Sequence, residues 1–303
     1  MTARLGLDLG ARELRLVETK GNQLIRHAEI LLPDGAMADG MPTPLLTTTL
    51  RSTIEEGGFS SVPVRVAIAE TGTAFRDFRL PRVPASELSS AVLFEGRRLV
   101  PMEAADVYFA WHAIDDKQGY AIYLVAARRA MIDAVMELVG AAGLPVEHMD
   151  LKPLALARGM GVLDGLALEW GAAEATLVLM VRGRPRFFRT FQLDAGPDDV
   201  EAQLDELALA VNALIRFMRG AASDVSIGPS TTLALAGRFA FLEDPAGQAQ
   251  RRFEFDITFP NPPLKVDGDL PWQAHFAGIG LIQQQRWQNR LTPSQGGDIR
   301  VAA

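Results

Sequence analysis

Two segments of this sequence set an acid two residues ahead of a glycine at the end of an apolar run: Asp8-Leu9-Gly10 and Glu169-Trp170-Gly171. Glycine permits the tight turn that would hold each carboxylate in place. Other arrangements that could do chemistry are missing. There is no G-x-S-x-G, no Walker-type loop and no paired-carboxylate signature. His27, His112, His148 and His275 are far apart and form no spaced metal pair, so no metal site is expected. Cysteine is absent, which removes disulfides, thiolate nucleophiles and cysteine metal sites. No residue is assigned a catalytic role.

The elements around the two acid-x-Gly segments repeat. Residues 4–32, "RLGLDLGARELRLVETKGNQLIRHAEILL", read as strand, turn, alternating strand, Gly21-Asn22 turn and third strand. Residues 165–193, "GLALEWGAAEATLVLMVRGRPRFFRTFQL", read the same way, with the second turn at Arg182-Gly183. Asp8 and Glu169 lie 161 residues apart (169 − 8), as do Gly10 and Gly171 (171 − 10). Two related lobes are therefore expected. Helices and strands interleave through the rest, so the class is α/β. The stretch "VEAQLDELALAVNALIRFMRG" is strongly helical, and "TTLALAGRFAFLE" reads as a strand followed by a glycine turn.

At 303 residues the chain is long enough for about two domains. Its 30 Lys+Arg against 37 Asp+Glu give a net charge of −7, which counts against nucleic-acid binding. The N-terminal residues "MTARLGLDLG" hold no apolar run of signal-peptide length and no later run reaches membrane-span length, so a cytoplasmic protein without direct membrane insertion is expected. The glutamine-rich "LIQQQRWQNRL" has too little apolar area for an anchor and reads as a capping helix.

Four segments together resemble the PilM family, actin-like cytoplasmic proteins of type IV pilus assembly related to the cell-division protein FtsA. They are "LGLDLGARELRLVE", "LPRVPASELSSAVLFEGRRLVPMEAADVYFAWHAI", "YLVAARRAMIDAVMELVGAAGLPVEHMDLKPLALARGM" and "HFAGIGLI". A type II secretion protein with an actin-like cytoplasmic lobe would give similar signals. The resemblance implies an actin-like ATPase (ribonuclease-H-like) two-lobe core with a small inserted α/β domain, SHS2-like as in FtsA. Residues 1–71 and 146–164 would form the first lobe, 72–145 the insert, 165–290 a reduced second lobe and 291–303 a flexible tail. The short link "QLDAGPDD" implies that most of one family subdomain is missing.

In such a fold, ATP and Mg²⁺ would lie between the two acid-x-Gly loops, with the adenosine against a Gly-Gly turn. The residues corresponding to this site are Asp8, Gly10 and Arg12 in the first loop, Glu169 and Gly171 in the second, and Gly237 with Arg238 at the adenosine turn. Several depart from the family. Ala11, Arg12 and Glu13 replace hydroxyl residues, Glu169 replaces Asp, Glu174 adds a carboxylate, and bulky Arg238 stands beside a single glycine. Glu13 and Glu174 would repel a polyphosphate by roughly 1 kcal/mol or more per close pair in water. The expectation is a pseudo-ATPase without a cofactor, with ATP binding the alternative.

The resemblance also implies a scaffold that binds the N-terminal cytoplasmic peptide of a bitopic PilN-like inner-membrane protein, and through it lies at the inner membrane. The peptide would dock between the first lobe and the insert, where Asp150, Lys152, Pro153 and Leu154 are the candidate contacts, Pro153 leaving the chain open because it donates no backbone bond. Two other classes stay open: an actin-like protein whose nucleotide state controls partner binding, and a small-molecule kinase of the same superfold.

Overall fold

The computed structural model describes residues 2–38, 40–116, 118–221, 227–266 and 270–283. Strands β1 (Ala3–Leu9), β2 (Glu13–Lys20) and β3 (Gln23–Leu31) form an antiparallel meander. A short hairpin, β4 (Met37–Ala38) and β5 (Met41–Pro42), leads into helix α1 (Pro44–Glu56). Strand β6 (Val64–Ile68) then returns parallel to β1. The inserted unit follows, made of β7 (Thr73–Leu80), α2 (Ala85–Leu99), β8 (Val107–Asp116) and β9 (Gly119–Arg128). Helix α3 (Arg129–Ala141), β10 (Val146–Leu151) and α4 (Lys152–Gly159) complete the first half.

The second half repeats the plan. A meander of β11 (Gly165–Trp170), β12 (Glu174–Val181) and β13 (Arg184–Gln192) is followed by α5 (Val200–Ala221) and β14 (Thr232–Gly237). After these come α6 (Pro245–Gln250), β15 (Asp256–Thr258), β16 (Lys265–Val266) and α7 (Phe276–Gln283). The 161-residue offset holds for the bounds of β2 with β12 and of β3 with β13. It even governs the turn conformation: Arg182 takes the left-handed φ of 53° where the first lobe has Gly21 at 63°. Sheet orders match as well, β10-β6-β1-β2-β3-β16 against β13-β12-β11-β14-β15.

Strand β2 was expected to alternate, yet every residue but the last is buried, because α7 covers one face and the first-lobe core the other. Its polar residues therefore need internal partners. Leu5, Leu7, Leu14 and Leu16 pack with Leu46, Leu50 and Val66 in the first core, and Leu166, Leu168 and Leu177 with Leu204, Leu207 and Val211 in the second.

Helices α4 and α7 join the lobes. Helix α4 lays Leu156 and Ala157 on the second sheet, against Ala167, Val178 and Ala234. Helix α7, at the far end of the described chain, packs back on β1, β2 and β6 of the first sheet. The two cross where Gly159 meets the Phe276 carbonyl and Gly280 meets the Ala155 carbonyl, with no room for a Cβ. The last carbonyls of α7 are held by cations from the first lobe: Arg4 donates to Ile282, Arg65 to Leu281 and Arg158 to Gly280. Residues 276–283, read with the second lobe from sequence order, thus pack on the first lobe's sheet while Phe276 and Ala277 also meet the second lobe.

The inserted sheet, ordered β7-β9-β8, has α2 on one face, where Leu88 and Val92 meet Ile122, Leu124 and Ala126. Its other face enters the first-lobe core through Val125, Ala127, Tyr108 and Ala110. Helix α3 was placed in the insert by its position in sequence. Met131, Ile132, Val135 and Val139 instead pack into the first core, so the insert spans 73–128. Strand β7 lies beside β13 of the second lobe, with Phe75 edge-on to Phe188 at 5.2 Å and Arg186 paired to Asp77 at 2.7 Å. No described helix is long and apolar enough to cross a membrane. Of the capping helix read at 281–291, residues 281–283 end α7, and the rest of it and the tail read at 291–303 lie outside the described residues.

Candidate functional site

The two acid-x-Gly loops face each other across the lobe junction, as the duplication required. Each closes in the same way, the Gly10 amide donating to the Glu13 carbonyl at 2.9 Å and the Gly171 amide to the Glu174 carbonyl at 2.8 Å. Strand β1 delivers Asp8 and β2 delivers Glu13 and Arg15, with Asp8 and Arg15 opposed in register. Strand β11 delivers Glu169 and β12 delivers Glu174. Lys152, the first residue of α4, enters from the side.

The carboxylates cross between lobes. Glu174 Oε2 accepts from the Ala11 amide of the first loop at 3.1 Å, and Glu13 Oε2 accepts from the Ala172 amide of the second at 2.9 Å. Donors and acceptors are related by the 161-residue offset, so this is one contact made twice. Gly10 and Gly171 make it possible, since a Cβ at either position would collide with the incoming carboxylate. Lys152 Nζ lies 2.8 Å from Glu174, 3.3 Å from Asp8, 3.5 Å from Glu169 and 3.9 Å from Glu13. Arg15 lies 2.8 Å from Glu13, 2.9 Å from Glu29, 3.3 Å from Glu169 and 3.6 Å from Asp8. Its contact with Glu13 is an ion pair rather than an aligned hydrogen bond.

Asp8, Glu13, Glu169 and Glu174 are all buried, and the buried cations that pair with them are Arg15 and Lys152. Burial, opposed by the two cations, shifts the proton affinities. Burial raises Glu13 to about 7, against the pull of Arg15 and Lys152. Burial raises Glu169 for the same reason. Glu174 is also penalised by burial but ends below its ordinary value, because Lys152 both neutralises and hydrogen-bonds it and the Ala11 amide adds a donor. Lys152 and Arg15 oppose burial with several carboxylates each and stay charged. Asp8 Oδ1 and Glu169 Oε1 have no hydrogen-bond partner.

The turn at Gly237, where the resemblance would put adenosine, is also built over. Arg238 follows Gly237, whose φ is 76°, and stacks its guanidinium 5.1 Å from the Trp170 ring. It donates to Gln203 Oε1 and to the Pro197 carbonyl, both at 2.6 Å. Gln203 in turn accepts from Trp170 Nε1 and donates to the Ala172 and Ala195 carbonyls. Arg12 turns away from the loops' centre and donates to the Leu193 carbonyl at 3.0 Å. The link 193–199, expected from the missing subdomain, is thereby tied down by Arg12, Gln203 and Arg238. A cavity of about 240 Å³ beside it is lined by Ala11, Arg12, Leu32, Asp34, Ala173 and Pro197. This is below the roughly 300–1,000 Å³ usual for small-molecule pockets.

The four residues expected at a partner groove do not form an open surface. Asp150 is fully buried, accepting from the Leu151 amide at 2.8 Å and pairing with Arg158 at 2.7 Å. Lys152 belongs to the charge cluster, and Leu154 is buried in the first-lobe core. Pro153 sits in the first turn of α4, where its missing N–H leaves no helical bond unmade. Two histidines that looked unrelated meet: His275 Nε2 is 3.2 Å from His27 Nδ1. Burial lowers both, His275 furthest, with Arg15 and His27 adding to the effect there. No described group of His, Cys, Asp or Glu is arranged to hold a metal. Sequence pattern marked Glu13 and Glu174 but not Arg15, Gln203 or the histidine pair. Glu13 and Arg15 two apart in a strand, hence on one face, were the available signal for Arg15.

No protein-family model and no curated protein matches the chain. Solved structures do. A structure described as the PilM-PilN type IV pilus biogenesis complex is 22% identical with a TM-score of 0.73, over 92% of this chain and 97% of that one. The cytoplasmic domain of EpsL, an inner-membrane component of the type II secretion system of Vibrio cholerae, is 13% identical with a TM-score of 0.54, covering 94% and 96%. The ethanolamine utilization protein EutJ from Carboxydothermus hydrogenoformans is 14% identical with a TM-score of 0.53, covering 93% and 89%. The chain has the actin-like two-lobe fold and resembles PilM over nearly its whole length.

Proposed function

We propose that this protein is a cytoplasmic scaffold of type IV pilus or related type II secretion assembly. It binds the N-terminal cytoplasmic segment of a bitopic PilN-like membrane protein, and hydrolyses no ATP. The likeness to the PilM-PilN structure along 92% of the chain carries this reading. EpsL, from the other machine, supports the coarser assembly role.

The insert supplies a docking edge. Strand β8 is ten residues long and, among the described residues, pairs on one side only, with β9. It begins at the junction with the first lobe, where Tyr108 hydroxyl donates to Asp133 of α3 at 3.0 Å and Arg129 stacks 4.1 Å from the Tyr108 ring. It contains no proline or lysine to block a further strand. An extended peptide added at this edge would take its register from backbone bonds to β8 and its specificity from alternate side-chain sites.

The test is a fluorescent peptide from the N-terminus of a bitopic PilN-like membrane protein of the same organism, titrated with and without Mg·ATP. Saturable binding unaffected by nucleotide, with slowed amide exchange in β8, is the expected result. Binding that requires ATP would favour the nucleotide-controlled alternative, and no binding would remove this partner.

A further inference from the structure

We infer that the Glu13 and Glu174 carboxyl groups are built-in acceptors that hold the two acid-x-Gly loops in place of a nucleotide, so that the closed arrangement of the lobes is set by the chain itself. A phosphate bridging such loops has to accept from the amides of both and be neutralised by nearby cations. Here each requirement is already met from within. The Ala11 and Ala172 amides are bonded to Glu174 and Glu13, and Lys152 and Arg15 neutralise those same carboxylates.

The residues therefore do not fit the Mg·ATP that the fold implies. An incoming phosphate would have to displace two buried carboxylates and then lie beside Asp8 and Glu169, both buried and each with an unpartnered oxygen. The sequence suggested only that Glu13 and Glu174 repel phosphate. Their crossing adds a positive role, since each side chain is anchored in one lobe and bonded to the other. The inference stands apart from the identity of any partner, because it concerns only the junction of the lobes.

The converse is testable. With Glu13 and Glu174 truncated, two amides are released, and the two cations keep only Asp8, Glu169 and, for Arg15, the half-buried Glu29 opposed to them. The Glu13→Ala/Glu174→Ala double variant should bind inorganic pyrophosphate at least tenfold more tightly than the wild type by isothermal titration. The wild type should show no melting shift with pyrophosphate or Mg·ATP. Small-angle scattering should show the ligand-free double variant more open than the wild type. A wild-type shift with Mg·ATP, or a folded double variant as compact as the wild type and equally blind to pyrophosphate, would overturn the inference. If the double variant does not fold, Glu174→Ala alone decides. Its Ala11 amide should exchange at least tenfold faster while Ala172 stays protected by Glu13, and unchanged Ala11 exchange would contradict the latch.

Discussion

Replacing Lys152 by Met removes one of two cations from a site holding four buried carboxylates. Breaking a buried ion pair from one side costs about 3–5 kcal/mol, because the remaining charge is left unneutralised. Here the carboxylates can escape that cost by taking up a proton, which limits the loss. At pH 7, protonating a carboxyl of ordinary pKa costs about 2.7 pH units, or roughly 3.7 kcal/mol, and at pH 5 it costs only about 1 kcal/mol. The variant should therefore lose about 4 kcal/mol at pH 7 and about 1–2 kcal/mol at pH 5. The sign follows from linkage. Without Lys152, Glu13 and Glu169 rise further above their unfolded values and Glu174 loses the charge that holds it down, so stability falls as pH rises through that window. Urea unfolding of both proteins at pH 5 and pH 7 measures it. A loss below 1 kcal/mol at pH 7, or an equal loss at both, would refute the claim that Lys152 neutralises a buried anionic cluster.

Glu13, raised to about 7 by burial, contributes stability at pH 4 that is lost as pH rises through 7, and Glu13→Gln should remove this slope, worth on the order of 3 kcal/mol, in urea titrations across that range. His275, lowered by burial, contributes the opposite slope, stability lost as pH falls below its ordinary value of 6.5, and His275→Asn should flatten it in the same titrations. Arg238→Ala should cost about 2–4 kcal/mol, since two hydrogen bonds to a charged group and a stacking contact disappear, and Trp170 fluorescence should report the change. Gly280→Ala should destabilise by about 3 kcal/mol or more by calorimetry, because its Cβ would meet the Ala155 backbone rather than a yielding side chain, whereas Gly140→Ala, with open space around it, should change little.

The duplication was legible because turn, acid and glycine recur at one offset, and pairing within each meander is local. What separates lobes by 150 residues or more was not. Glu13 and Glu174 could be recognised as misplaced charges, but only folding shows that each reaches the other's loop. Lys152 was read as a partner-groove contact after a strand, because nothing local tells that four carboxylates converge on it. The histidine pair joins positions 248 apart. Helix α3 was misassigned since its apolar stripe would suit either core, and α7 because chain order hides its return to the first sheet. Gln203 was read only as part of an amphipathic helix, although it is completely buried and its amide organises the link to Arg238.

The central claim is that the junction of the lobes is complete without nucleotide. Amide hydrogen exchange at Ala11 and Ala172, followed with and without Mg·ATP, tests it most directly. Both amides should be strongly protected in the nucleotide-free protein, and Mg·ATP should leave their rates unchanged. Fast exchange that becomes protected when Mg·ATP is added would show that the loops wait for phosphates, and would contradict the account.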